Sequence, residues 1–163
     1  MSYWQEFVPA DFQVPPRLEA DGFHLRMLTV NDLVKDYDAV MTSAQRLKGA
    51  MKPGGTWPDG LTLEEDLIDL GWHQREFLDR RSFCYTVMSE DESLCLGCCY
   101  IYPSEKSSFD AKAFWWVRDS AVAGGLDERL GAAFQGWLRD RWPFKRVAFP
   151  GRDISWDAWA AAR

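Results

Sequence analysis

Gly124 and Gly125 stand between an aromatic run that ends at Val117 and an apolar stripe that begins at Leu126. A glycine turn opening a helix can hold a phosphate, because the first backbone N–H groups point outward and the helix dipole favours an anion. Asp127, two residues after Gly125, complicates that reading. A carboxylate in a first helical turn stabilises the helix and can serve as its own anion. The turn is therefore either a phosphate cradle or the shape of one with its anion site filled from within.

Cysteine offers a second chemistry. Cys95, Cys98 and Cys99 lie in "LCLGCCYIY", spaced like half of a zinc site. A zinc knuckle needs a turn and a second ligand pair; the surroundings instead read as a strand with Gly97 as a candidate bulge. On a regular strand Cys95 and Cys99 share one face and Cys98 the other. Cysteine as a small apolar residue is the expectation, and no metal ligand is assigned. Cys84 and Cys98 have no visible His partner for nucleophilic work.

Bulk properties narrow the class. A chain of 163 residues with 47% apolar and 27% charged residues suits one domain, here 1–163. Nine Trp, ten Phe and five Tyr supply a dense core and rigid walls for a cleft. A net charge of −6 argues against nucleic acid as partner and favours a cationic one. No apolar run reaches membrane-span length and the start lacks a signal-peptide pattern, so no membrane association and a cytoplasmic location are expected.

The elements that must position these residues follow from periodicity. Residues 1–21, with three prolines, read as an extended arm docked by Trp4, Phe7 and Phe12. Residues 23–28 alternate as a strand, and 29–47 form a helix capped by Thr29 or Asn31. A glycine- and proline-rich loop precedes a helix over 62–81, opened by a Thr62/Glu65 capping box with Leu63, Leu67, Leu70, Gln74, Phe77 and Leu78 inward. Strands are predicted at 82–88, 94–102 and 111–117, the first two as a hairpin. A helix then runs from Leu126 to Trp142-Pro143, "KRVAF" makes a last strand, and the tail 152–163 adds a short helix. The order β-α-α-β-β-β-α-β predicts an α/β chain with a mixed, mostly antiparallel sheet flanked by helices.

That order, with "VRDSAVAGGLDERLGAAF" between the aromatic strand and the long helix, resembles the GNAT superfamily of acyl-CoA-dependent N-acyltransferases over roughly residues 23–150. The resemblance implies the GNAT-like fold, acetyl-CoA as co-substrate, and an acceptor that is a small-molecule amine or a peptide N-terminus; a homodimer is common in the family. It places cofactor contacts on Trp116, Val117, Arg118, Ala123, Gly124, Gly125, Leu126 and Asp127. The family's turn reads Arg/Gln-x-x-Gly-x-Gly/Ala. Here Gly125 falls on the first motif glycine, Val122 on the Arg/Gln position and Asp127 on the second glycine. A carboxylate about 4–6 Å from a phosphate costs on the order of 3–4 kcal/mol at an effective dielectric near 20. Arg118 or Arg129 could replace the lost side chain.

N-acyl transfer needs a base for the amine and a donor for the leaving thiolate. The family's usual Glu and Tyr are not plain in this chain. The resemblance leaves His73, on the helix that walls the acceptor site, Glu105, on a loop, and Asp153, after the last strand, as catalytic candidates. His24 and His73 also suit a structural hydrogen-bonding role. Two functions remain open: an N-acetyltransferase, and a GNAT-fold module that no longer binds acetyl-CoA and acts through its aromatic cleft.

Overall fold

The computed structural model describes residues 6–163. Its six strands lie in sequence order, β1 (Arg17–Ala20), β2 (Phe23–Met27), β3 (Phe83–Ser89), β4 (Cys95–Pro103), β5 (Ala111–Val117) and β6 (Val147–Ala148). All neighbours are antiparallel except β5 and β6, which run parallel. The helices are α1 (Leu33–Met41), α2 (Ala44–Leu47), α3 (Leu63–Leu78), α4 (Asp119–Val122), α5 (Leu126–Arg141) and α6 (Trp156–Ala161). The mixed, mostly antiparallel sheet with flanking helices is the expected architecture.

Two cores sandwich the sheet. On one face Phe23, Leu25, Tyr85, Cys99, Ile101 and Trp115 pack against Leu130, Phe134 and Leu138 of α5. On the other, Cys84, Cys98, Tyr100 and Trp116 pack against Ala39 and Val40 of α1, Leu47 of α2 and Leu70 of α3. The apolar stripe of α5 thus does what its spacing demands.

The start of the chain corrects the expected arm. Residues 17–20 are a strand, joined to β2 by a turn at Gly22, whose φ is 86°. Prolines upstream masked this short edge strand, where two-residue alternation leaves little signal. Phe7 stacks on Phe144, and Phe12 packs on Trp142, as the docking reading required. Trp4 lies outside the described residues. The expected helix over 29–47 is broken into a 3₁₀ turn (Val30–Asp32), α1 and α2. Thr29 accepts from the Asn31 amide while Asp32 reaches back to the Thr29 amide, so the capping residue is Thr29.

Helix α3 starts where its cap predicts, with the Glu65 amide donating to Thr62 Oγ1 at 3.1 Å. Its inward face is different. Leu63, Leu67 and Leu78 are exposed, while Asp66 and Leu70 are buried and His73 and Phe77 partly so. That set is spaced i, i+4, i+7, i+11, one continuous face rotated from the leucine face. One carboxylate, Asp66, and the His73 imidazole are consequently carried onto the interior side of the helix.

The bulge in β4 is real. Val87 pairs with Gly97, but Met88 pairs with Cys95, so one extra residue sits in β4. A Cβ at Gly97 would lie 2.0 Å from the Trp116 carbonyl oxygen, so only glycine permits this approach. The bulge changes the faces of the cysteines. Cys95 joins Cys84 and Cys98 in the α1-side core, and Cys99 faces α5. All four are buried free thiols; burial raises the pKa of Cys84, Cys95 and Cys99, and the Cys84 Sγ 3.5 Å away, then burial, raises that of Cys98.

Candidate active site

Strands β5 and β6 pair only at Ala111↔Val147 and Lys112↔Ala148. Beyond Ala148 the last strand ends, and Phe149 to Asp153 turn away. The rest of β5, from Ala113 to Val117, therefore has an unpaired edge on that side. This fork opens a cavity of about 320 Å³ whose walls include Ala113, Trp115, Gly151 and Trp156.

The glycine turn stands beside the fork. Gly125 adopts a left-handed conformation, φ 76°, and caps α5 with no side-chain hydrogen bond. Its own amide is spent on the Val122 carbonyl at 3.0 Å. The amides of Leu126, Asp127 and Glu128 open the helix without a partner among the described residues. The amides offered for an anion thus begin one residue beyond Gly125.

Asp127 does not point at those amides. Its carboxylate accepts from Trp115 Nε1 at 3.1 Å and from both terminal nitrogens of Arg152, at 2.8 and 2.9 Å. Burial pushes this carboxyl up, but the Arg152 pair and the Trp115 bond outweigh it and hold it below its ordinary range. Arg152 also lies 3.7 Å from the Trp115 ring centre and donates to the Trp115 carbonyl at 3.1 Å. A second arginine, Arg46, donates to the Val117 carbonyl and pairs with Asp119. Two carbonyls of the unpaired β5 edge are thus capped by guanidinium groups.

The other turn residues have mixed fates. Arg118 is buried and tied to the Cys95 carbonyl, Ser120 and Asp38, so it braces the sheet rather than facing the turn. Arg129 lies at the turn and donates to the Gly124 carbonyl at 2.8 Å. Trp116 points to the opposite core and donates to the Tyr100 hydroxyl at 2.8 Å. Ala123 and Gly124 form the link between α4 and α5.

A larger cleft of about 790 Å³ adjoins the fork, the two sharing Met51 and Phe114. A third cavity of about 300 Å³ shares Met51, Trp72 and Tyr102 with that cleft. His73 lines the third cavity. Burial lowers its pKa to about 4, so the imidazole is neutral at physiological pH, and its Nδ1 has no hydrogen-bond partner among the described residues. Glu105 stands elsewhere, in an ion pair with Lys112 at 2.9 Å. Asp153 accepts from the Phe149 amide at 2.8 Å and closes the turn after β6. The three catalytic candidates do not converge. Arg46 and Arg152 escaped sequence reasoning, since each meets the fork from a loop or short helix far along the chain.

No family model and no curated protein matches the chain. Solved structures do. The ribosomal-protein-S5-alanine acetyltransferase of Vibrio fischeri superposes with a TM-score of 0.65 over 89% of this chain and 80% of that one, at 14% identity. RimL, the ribosomal L7/L12 alpha-N-protein acetyltransferase solved with coenzyme A, gives 0.58 over 74% and 66%, at 15% identity. The microcin C7 self-immunity acetyltransferase MccE, solved with acetyl-CoA and AMP, gives 0.57 over 74% and 64%, at 9% identity.

The fold is that of the GNAT acetyltransferases. In chain order the parallel strands β5 and β6 bracket α4, the glycine turn and α5. Among the described residues no helix is long and apolar enough to cross a membrane.

Proposed function

We propose that the chain is an acyl-CoA-dependent N-acyltransferase that transfers an acetyl group to an amine. The observation that carries this reading is the fork between β5 and β6 with the uncapped start of α5 beside it. Three free amides at a helix start suit a diphosphate. The Leu126, Asp127 and Glu128 amides would hold it, with Arg129 supplying positive charge at the turn and Arg152 neutralising Asp127. The β5 edge carbonyls of Trp115 and Val117 would accept from the amides of the cofactor arm once Arg152 and Arg46 turn aside. Bound acetyl-CoA supplies the acyl thioester. The chain supplies position, a cleft with aromatic walls that meets the fork at Met51 and Phe114, and neutral His73 as a proton acceptor next to that cleft.

Arg152 resolves the electrostatic objection to Asp127. A carboxylate paired at 2.8 Å with a guanidinium no longer acts as a bare charge against a phosphate. The same pair favours a second reading. Arg152 stacks on Trp115, bonds its carbonyl and neutralises Asp127, so the fork is filled by the chain itself. On that reading the protein is a GNAT-fold binding module without acyl transfer.

A thiol-release assay separates the two. With acetyl-CoA and a panel of primary amines and peptides bearing free N-termini, the transferase reading expects thiol release above hydrolysis for at least one acceptor. Release equal to the enzyme-free rate across the panel contradicts it. The acceptor class includes peptide N-termini because fold relatives such as RimL are named for such substrates.

A further inference from the structure

The cavity of about 300 Å³ beneath α3 has an unusual lining. Asp66 and Asp69 come from α3 and Asp36 from α1, three carboxylates with no Lys or Arg among the lining residues. Asp36 and Asp66 are only 4% and 3% exposed and adjoin one another. Among the described residues Asp66 Oδ2 has no hydrogen-bond partner, and neither has Nδ1 of His73 on the same helix face. A buried carboxylate oxygen without a partner costs free energy that a packed core would have avoided. The remaining walls are aromatic, with Trp57, Trp72, Tyr100 and Tyr102 around the acids. Ring faces and unneutralised carboxylates attract the same kind of guest, a desolvated cation.

Among the described residues no three His, Cys, Asp or Glu side chains converge as ligands of one metal ion. Aromatic walls also suit the methylenes of an organic cation better than a hydrated ion. We propose that this cavity is a binding site for a compact organic ammonium ion, with Asp36 and Asp66 as its counter-ions and the surrounding rings as its walls. Burial, and for Asp36 the neighbouring Asp66 charge, raise both carboxyls, as expected of buried acids with no counter-ion beside them.

The site opens toward the aromatic cleft at Met51, Trp72 and Tyr102. If the acyltransferase reading holds, on which only this step rests, the guest is the cationic end of the acceptor. Acyl transfer consumes a neutral amine, so the anchored ammonium is a second, unreacting centre. Short aliphatic diamines then bind better than monoamines of equal length.

Titration calorimetry on the full chain without acetyl-CoA tests the site separately from catalysis. The probes are 1,4-diaminobutane, n-butylamine and the neutral n-butanol at constant ionic strength. The expected result is binding of 1,4-diaminobutane at least tenfold tighter than n-butanol, weakened at least tenfold in Asp66→Asn and unchanged in the exposed control Asp140→Asn. Asp36→Asn is the second variant should Asp66→Asn fail to fold. Equal affinity for the amine and the alcohol, absence of binding, or undiminished affinity in a folded acid-pair variant overturns the proposal. Ammonium binding without thiol release leaves this site standing and removes the transferase reading; thiol release from monoamines with no effect of Asp66→Asn does the reverse.

Discussion

At the scale of single residues, the fork is governed by what Asp127 and Arg152 do to one another. Each is about one-third exposed, so their pair is screened, yet it is bidentate and backed by the Trp115 ring. Asp127→Asn and Arg152→Ala are each expected to lower unfolding free energy by on the order of 1 kcal/mol in urea titrations. The double variant should cost less than the sum, since either change removes the same pair. Additive losses would mean that the two side chains act separately. Asp127 was visible in the sequence as a departure from the turn motif. Its partner was not, because Arg152 lies 25 residues on and reaches Asp127 only after β6 and its turn are placed.

At the scale of elements, the bulge and the rotated face of α3 decide where chemistry sits. Gly97→Ala drives a Cβ into the Trp116 carbonyl, a backbone atom that cannot rotate away. A loss above about 3 kcal/mol or failure to fold is expected, read by circular dichroism and thermal unfolding. The hairpin tip ties back to β2 through Glu92, which accepts from Arg26 at 2.8 Å and meets His24 at 2.6 Å. These bonds, Arg26 first, lower the Glu92 pKa from 4.5 to about 2. The stability it contributes is therefore full above pH 4.5 and lost as pH falls toward 2. Glu92→Gln should be less stable than the parent at pH 6 and should approach it at pH 2; a constant gap would contradict the assignment. Strand and helix order was legible because strong periodicity marks β3 to β5 and α5. The face of α3 was legible only in part, at Leu70 and Phe77, because Leu63, Leu67 and Leu78 extend the apolar stripe yet stay exposed, while a carboxylate, Asp66, is buried.

At the scale of the whole molecule, three cavities, among them the fork and the acid-lined one, adjoin around Met51, which lies in the wall of each. Under the proposed function these would serve as a cofactor slot, a reaction cleft and an anchoring end. The arrangement costs stability at the acidic end, where the carboxyls are raised. A raised carboxyl favours folding below its ordinary value of 3.8 and loses that contribution as pH rises. Asp66→Asn should therefore unfold at a higher temperature than the parent at pH 8 and show little gain at pH 4. A lower midpoint at pH 8 would assign Asp66 a supporting structural bond instead. Composition anticipated the negative charge and the aromatic walls, but neither shows from spacing that they meet in one cavity.

The central claim, that the fork accepts acyl-CoA, is tested most directly by thermal unfolding of the parent and Arg152→Ala with and without acetyl-CoA. At about 100 times its dissociation constant a ligand adds roughly 2.7 kcal/mol, which for a chain of this size raises the midpoint by about 5–10 °C. The account predicts that rise in the parent. A rise confined to Arg152→Ala would make Arg152 a permanent plug and the protein a binding module. No rise in either would contradict cofactor binding at the fork altogether.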